Sequence, residues 1–220
     1  MLLTPGPTPV PEFVRKAMSD ITIHHRTEEF EAIFKNTREL LIEIYDMPEV
    51  VILASSGTGA MEACVTNLTH KKALTINSGK FGERFGKICA AFGIDYTEIK
   101  NEWNTPVSVE AVINAIKADY SIDAVFIQIC ESAGGLRHPV EEIAAEIKKI
   151  NKDITIVADG ITAVGVEKID TTNLDAVVTG SQKALMLPPG LAMIGLSNEA
   201  VVKIELKPRG YYFNLATEIK

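Results

Sequence analysis

The chain has 220 residues, 46% of them hydrophobic and 23% charged. That length and apolar content can bury a sizeable core in one large domain or two small ones, and they exclude disorder as the main state. Lys and Arg number 22 against 29 Asp and Glu, a formal charge of −7, so the basic footprint of a nucleic-acid binder is missing. No apolar run approaches the ~18 residues that span a bilayer. The opening MLLTPGPTPVP has no basic region and is broken by prolines, so it does not read as a signal peptide. Cys64, Cys89 and Cys130 form no CxxC pair and point to reduced thiols in a cytoplasmic protein.

Pro5, Pro7, Pro9 and Pro11 keep the first residues out of helix and central strand, because each fixes φ and removes a donor. An extended arm is expected there. A helix follows over roughly Glu12–Asp20, and a longer one over Glu28–Tyr45, where Phe30, Ile33, Phe34, Leu40, Leu41 and Ile44 recur at helical spacing. After Pro48 short apolar runs alternate with amphipathic stretches. The runs are Val50–Ala54, Ala73–Ile76, Ala124–Ile129, Ile154–Ala158, Ala176–Val178 and Ala192–Leu196; the helices lie near Gly59–Leu68, Lys80–Phe92, Ser108–Lys117 and Val140–Ile150. Near-continuous apolar strands alternating with helices predict an α/β fold, a mostly parallel sheet with helices on both faces. Beyond Lys207 the sequence offers Tyr211, Tyr212 and Phe213 but no clear closing element.

In such sheets ligands bind beyond the carboxyl ends of the strands, so the residues after each run matter most. Val50–Ala54 leads into Ser55-Ser56-Gly57-Thr58-Gly59, a glycine-bearing turn entering a helix. Its free N–H groups and the helix dipole suit an anion such as a phosphate; a plain turn capped by Thr58 or Ser56 is equally consistent. Ala124–Ile129 leads into Cys130-Glu131-Ser132, and Ile154–Ala158 into Asp159-Gly160. A carboxylate there is costly unless a cation or donors meet it. Ala176–Val178 leads into Thr179-Gly180-Ser181-Gln182-Lys183, followed by an apolar run whose Met186 and Leu187 read as core. A lysine in that setting is a candidate desolvated, imine-forming amine. Phosphate cradle, buried carboxylate and buried lysine at the ends of one sheet are the set that pyridoxal 5′-phosphate needs. No cluster has metal-ligand spacing, so no metal is expected.

The segments LLTPGPTPVP, HHRTEEF, SSGTGAMEA, NSGKFGERF, ESAGGLRHPV, VADGITAVG and TGSQKALMLPPG resemble, in order, the class V aminotransferases of fold-type I, and among them the alanine–glyoxylate and serine–pyruvate enzymes. The resemblance implies a pyridoxal-phosphate-binding large domain over 21–206, an arm and first helix over 1–20, and the start of an otherwise absent C-terminal region over 207–220. It implies catalytic roles for Lys183, which would carry the cofactor, and Asp159, which would pair with the protonated pyridine nitrogen. Gly57, Thr58 and Gly59 would form the phosphate loop with help from Gln182. Phe81 would stack on the ring, and Ser132 would contact the ring hydroxyl. The reaction implied is transamination between a small amino acid, alanine- or serine-like, and a small 2-keto acid, glyoxylate- or pyruvate-like, in a cytoplasmic homodimer.

Many relatives carry Ser or Thr where Ala133 stands, and family members are usually much longer, with the substrate-binding arginine in the region that follows; no arginine of this chain is assigned that role. Cysteine desulfurases place His where Gln182 and Phe81 stand. The rival readings are a cofactor-domain fragment without catalysis and a nucleotide-binding domain, the latter lacking an acidic residue ~20 positions beyond a GxGxxG.

Overall fold

A computed structural model describes residues 3–219; residues 1–2, where the expected arm begins, and Lys220 lie outside the described residues. Helices α1 (Glu12–Ala17) and α2 (Glu28–Tyr45) come first. The Thr27 hydroxyl accepts from Phe30 N at the start of α2, and Glu28, Glu29 and Glu31 lie in its first turn, where the helix dipole favours anions. The chain then runs β1 (Glu49–Leu53), α3 (Gly57–Leu68), β2 (Lys72–Asn77), α4 (Gly82–Ala91), β3 (Tyr96–Lys100), α5 (Val109–Ala118) and β4 (Ile122–Gln128). A two-residue antiparallel ribbon of β5 (Cys130–Glu131) and β6 (Leu136–Arg137) precedes α6 (Val140–Ile150). The rest is β7 (Thr155–Asp159), β8 (Ala176–Gly180), β9 (Ala192–Leu196), α7 (Asn198–Leu206) and α8 (Leu215–Glu218).

Seven strands form one sheet in the order β1-β9-β8-β7-β4-β2-β3. All neighbours pair in parallel except at β9, which runs antiparallel to both β1 and β8. The expected mostly parallel sheet is therefore present. Alternate side chains feed two apolar layers. Leu74, Ile76, Val125 and Ile127 meet α5, α6 and the end of α2 on one face. Ala73, Ala124, Phe126 and Val178 meet α3, α4, α7 and α8 on the other. On the second face Phe85 of α4 packs on Phe126 with ring centroids 5.1 Å apart, within the range of favourable aromatic pairs. Among the described residues no helix is long and apolar enough to cross a membrane.

The sequence reading missed β3, the β5–β6 ribbon, α7 and α8. Strand β3 reads Tyr-Thr-Glu-Ile-Lys and has no buried residue, so it offers no apolar run; it forms only because β2 supplies a parallel partner. Residues 207–219 pack back onto α3: Asn67 Oδ1 accepts from Leu215 N, Asn67 Nδ2 donates to Phe213 O, and Leu215 is fully buried.

The amino-terminal edge of the sheet has its own buried pair. Lys148 Nζ lies 2.7 Å from Asp175 Oδ2, which also accepts from Ile156 N at 2.7 Å. The Asp175 side chain is 3% exposed. Truncating a buried ion-pair partner leaves a desolvated charge and an unpaired N–H. Asp175→Ala should therefore lower the unfolding free energy by about 3 kcal/mol, read as a drop in denaturant midpoint at unchanged m-value; a loss below about 1 kcal/mol would show the pair contributes little.

Candidate active site

The parallel strands end at one edge of the sheet, and four of their connections converge there. The turn after β1 enters α3 at Gly57, with Ser56 at the cap position and no side-chain cap bond. The backbone N–H groups of Gly57, Thr58 and Gly59 thus have no intrahelical partner. A side chain at Gly57 would collide with Ile161, so this close approach of the two turns requires glycine. Asp159 ends β7, in register with Gln128 of β4 and Val178 of β8. Gln182 and Lys183 follow β8. Gly57, Thr58, Phe81, Ser132, Asp159, Gln182 and Lys183 all line one cleft of about 120 Å³, with Ser56, Arg84, Cys130, Ile161 and Thr162 completing its wall. Gly59 lies one position further into α3. A larger hollow of about 470 Å³ is bordered by Phe92, Tyr211 and Tyr212, but it brings together no comparable set of acid, amine and helix N-terminus, so chemistry favours the smaller cleft.

Asp159 is 5% exposed. Burial lifts its carboxyl to about 6, against the bond its Oδ1 accepts from Ile161 N and the nearby positive charges of Arg84 and Lys183; the Glu131 charge adds to the rise. A neighbouring cation would restore the ionised form. Gln182 Oε1 is buried without a hydrogen-bond partner. A Cβ placed on Gly180 would sit 2.7 Å from that oxygen and 3.5 Å from Gly57 N, so the Gln182 amide ends beside the first turn of α3. That oxygen accepts and calls for a donor; the unpaired N–H groups of Gly57, Thr58 and Gly59 are what a bound anion would complete. The donor set therefore fits pyridoxal phosphate: an anion cradle, a primary amine and a buried carboxylate share one cleft.

Two charged residues that sequence reasoning left without a role also meet here. Arg84 Nη1 donates to Thr58 Oγ1 at 2.8 Å, and its guanidinium lies 4.9 Å from the Phe81 ring centroid. Glu131 is fully buried and binds the backbone of Phe81 and Gly82. Both contacts join segments far apart in sequence, and only the GER triplet of NSGKFGERF hinted at the first. The N-terminal arm reaches the site as well. Thr8 N donates to Gln182 O at 3.0 Å and Thr8 Oγ1 to Lys183 O at 2.7 Å. A Cβ on Gly6 would come within 2.8 Å of Lys183 Nζ, so the arm lies directly on the lysine side chain. Two expectations need correction. Lys183 is half-buried rather than buried, and Met186, read as core, is 45% exposed with φ +51°. The two prolines that follow, Pro188 and Pro189, keep this stretch a loop instead of an apolar element.

The sequence profile of the aminotransferase class-V family matches residues 2–216. The chain belongs to the class-V aminotransferase family. An uncharacterized aminotransferase of Helicobacter pylori is 50% identical over the whole chain, which covers 60% of that relative. The L-aspartate–glyoxylate aminotransferase of Paracoccus denitrificans is 29% identical over 96% of the chain and 56% of its own length. The crystal structure of a subgroup IV aspartate aminotransferase from Thermus thermophilus superposes with a TM-score of 0.89 at 34% identity, covering 97% of this chain and 61% of that one. This class-V chain thus has the fold of the aminotransferase large domain and spans about 60% of the length of the relatives it matches.

The buried acid sets a pH dependence. Asp159 holds its proton in the folded chain up to about 6, against an ordinary 3.8, so stability falls as pH rises through that window. His138 runs the other way: burial pushes its imidazole down to about 4 from 6.5, so stability is gained as pH rises from about 4 to 6.5. The two slopes oppose. In the cofactor-free chain, Asp159→Asn should raise stability above pH 6 by up to roughly 3 kcal/mol and leave the acid loss from His138 uncovered. Denaturant melts from pH 4 to 8 check this; a variant profile parallel to the parent's would contradict it.

Proposed function

We propose that the chain binds pyridoxal 5′-phosphate in this cleft and catalyses transamination between a small amino acid, alanine- or serine-like, and a small 2-keto acid, glyoxylate- or pyruvate-like. The single observation that supports this most is that Lys183, Asp159 and the open N-terminus of α3 line one cleft. When bound, the cofactor supplies an aldehyde that captures amines and a ring that accepts electrons from a deprotonated α-carbon.

The chain's own residues do the rest. The N–H groups of Gly57, Thr58 and Gly59, with the Gln182 side-chain NH2, would hold the phosphate. Asp159 would pair with the protonated pyridine nitrogen and keep its proton in place. Phe81 would stack on the ring, and Ser132 would contact the ring hydroxyl. Lys183 Nζ would carry the cofactor and, once free, would take the proton from the substrate α-carbon. Relatives named for glyoxylate as acceptor favour that keto acid; among named donors are aspartate and serine. Residues 21–206 would form the cofactor-binding unit, residues 1–20 an arm reaching it, and 207–220 the lead into a C-terminal region. A cytoplasmic homodimer, without nucleic acid or membrane partners, accords with the charge of −7 and with exposed Phe13, Met18, Ile21, Ile33 and Leu40 on the first two helices and the link between them.

A second reading is cofactor binding without independent catalysis; the chain spans 60% of the length of a matched relative. A donor–acceptor panel of alanine, serine and aspartate against glyoxylate and pyruvate separates the two: turnover supports transamination, binding alone the second reading. Lys183→Ala should abolish the visible absorbance gained on attachment of the cofactor, and a retained band would remove Lys183 from its role. Thr58→Val keeps the backbone N–H but removes the hydroxyl to which Arg84 donates, and should weaken cofactor retention by about tenfold, the value of one hydrogen bond to a charged group, with a smaller effect on turnover of the loaded chain.

A further inference from the structure

Glu131 closes β5 and is 0% exposed. Its carboxylate gathers three backbone donors from two segments. Oε2 accepts from Phe81 N and Gly82 N, both at 2.8 Å, and Oε1 accepts from Ala133 N at 3.1 Å. The first pair begins α4 and carries the aromatic ring; the third lies next to Ser132. In each of the three bonds a backbone N–H donates and a Glu131 oxygen accepts. The backbone ahead of Phe81 packs flat on the same side chain, since a Cβ on Gly79 would come within 2.6 Å of Glu131 Cγ and Cδ. An apolar residue would fill this space without desolvating a charge. What the charge adds is direction: it ties one wall of the cleft to the other.

We propose that Glu131 is a positioning residue that fixes the spacing of the cofactor slot, locking the Phe81 backbone to the Ser132 loop so that ring-stacking and hydroxyl contacts are held in register. The ring itself is steadied from the side by Arg84, which also reaches Thr58; Glu131 sets where its backbone stands. The inference rests on the cofactor reading above and extends it to a residue that does not line the cleft.

Glu131→Gln preserves shape but replaces one acceptor with an NH2, which must face either the Phe81–Gly82 pair or Ala133. Gly79→Ala pushes the carboxylate aside without changing its charge. Each should weaken pyridoxal phosphate binding at least about tenfold in a fluorescence titration. Each should also speed amide hydrogen exchange at Phe81, Gly82 and Ala133 in the cofactor-free chain. In a double-mutant cycle, Glu131→Gln should add little to the loss caused by Phe81→Leu, because both act through one ring. Unchanged affinity in the Gln variant, fully additive losses, or a variant that fails to fold would overturn the proposal; the last would mean that Glu131 holds the core and not the slot. A parent chain that binds no pyridoxal phosphate would instead sink the cofactor reading itself.

Discussion

A carboxyl group held at about 6 by burial is a tension built into the end of β7. The surrounding sheet produces it. Parallel pairing to β4 and β8 brings Gln128 and Val178 alongside Asp159, and helices cover both faces, so little water reaches it. The cost of ionising such a group falls when a cation sits beside it. The same strand ends that remove the water bring Arg84 and Lys183 close enough to act on its charge. The chemistry proposed for the cleft depends on this constraint: a carboxylate in water would hold no proton on a partner ring at neutral pH with comparable strength.

The two sides of the cleft are held differently. The floor is the sheet itself, with Asp159 fixed by a buried strand and Gly57 by the packing of Ile161. The walls are loops, and loops need ties. The arm hydrogen-bonds the backbone at Gln182 and Lys183 through Thr8, and Glu131 gathers the N–H groups around Phe81. Rigid strands carry the acid, while backbone-directed bonds carry the amine and the aromatic ring. This division places precise chemistry on segments that would otherwise be the most mobile part of an α/β fold.

Much of this was legible in the sequence because it is local. Continuous apolar runs at 73–76, 124–129 and 154–158 announce buried parallel strands, and polar residues that follow the runs at 50–54, 124–129, 154–158 and 176–178 line one cleft. What was not legible depends on pairing at a distance. Strand β3 has no buried face to show. Glu131 looked like an ordinary loop acid because two of its three donors, Phe81 N and Gly82 N, lie 50 and 49 positions away. Arg84 carried no motif that assigned it a role. Met186 and Leu187 read as core by composition, yet the loop that carries them bends through a positive φ at Met186 before two prolines. Sequence patterns encode burial along an element; they do not encode which loop meets which.

The account turns on one nitrogen. Loading the chain with pyridoxal phosphate, reducing it with borohydride and mapping the modified peptide by mass tests it directly. The account predicts a single pyridoxyl adduct, on the peptide containing Lys183. No adduct, or one spread over other lysines, would contradict it.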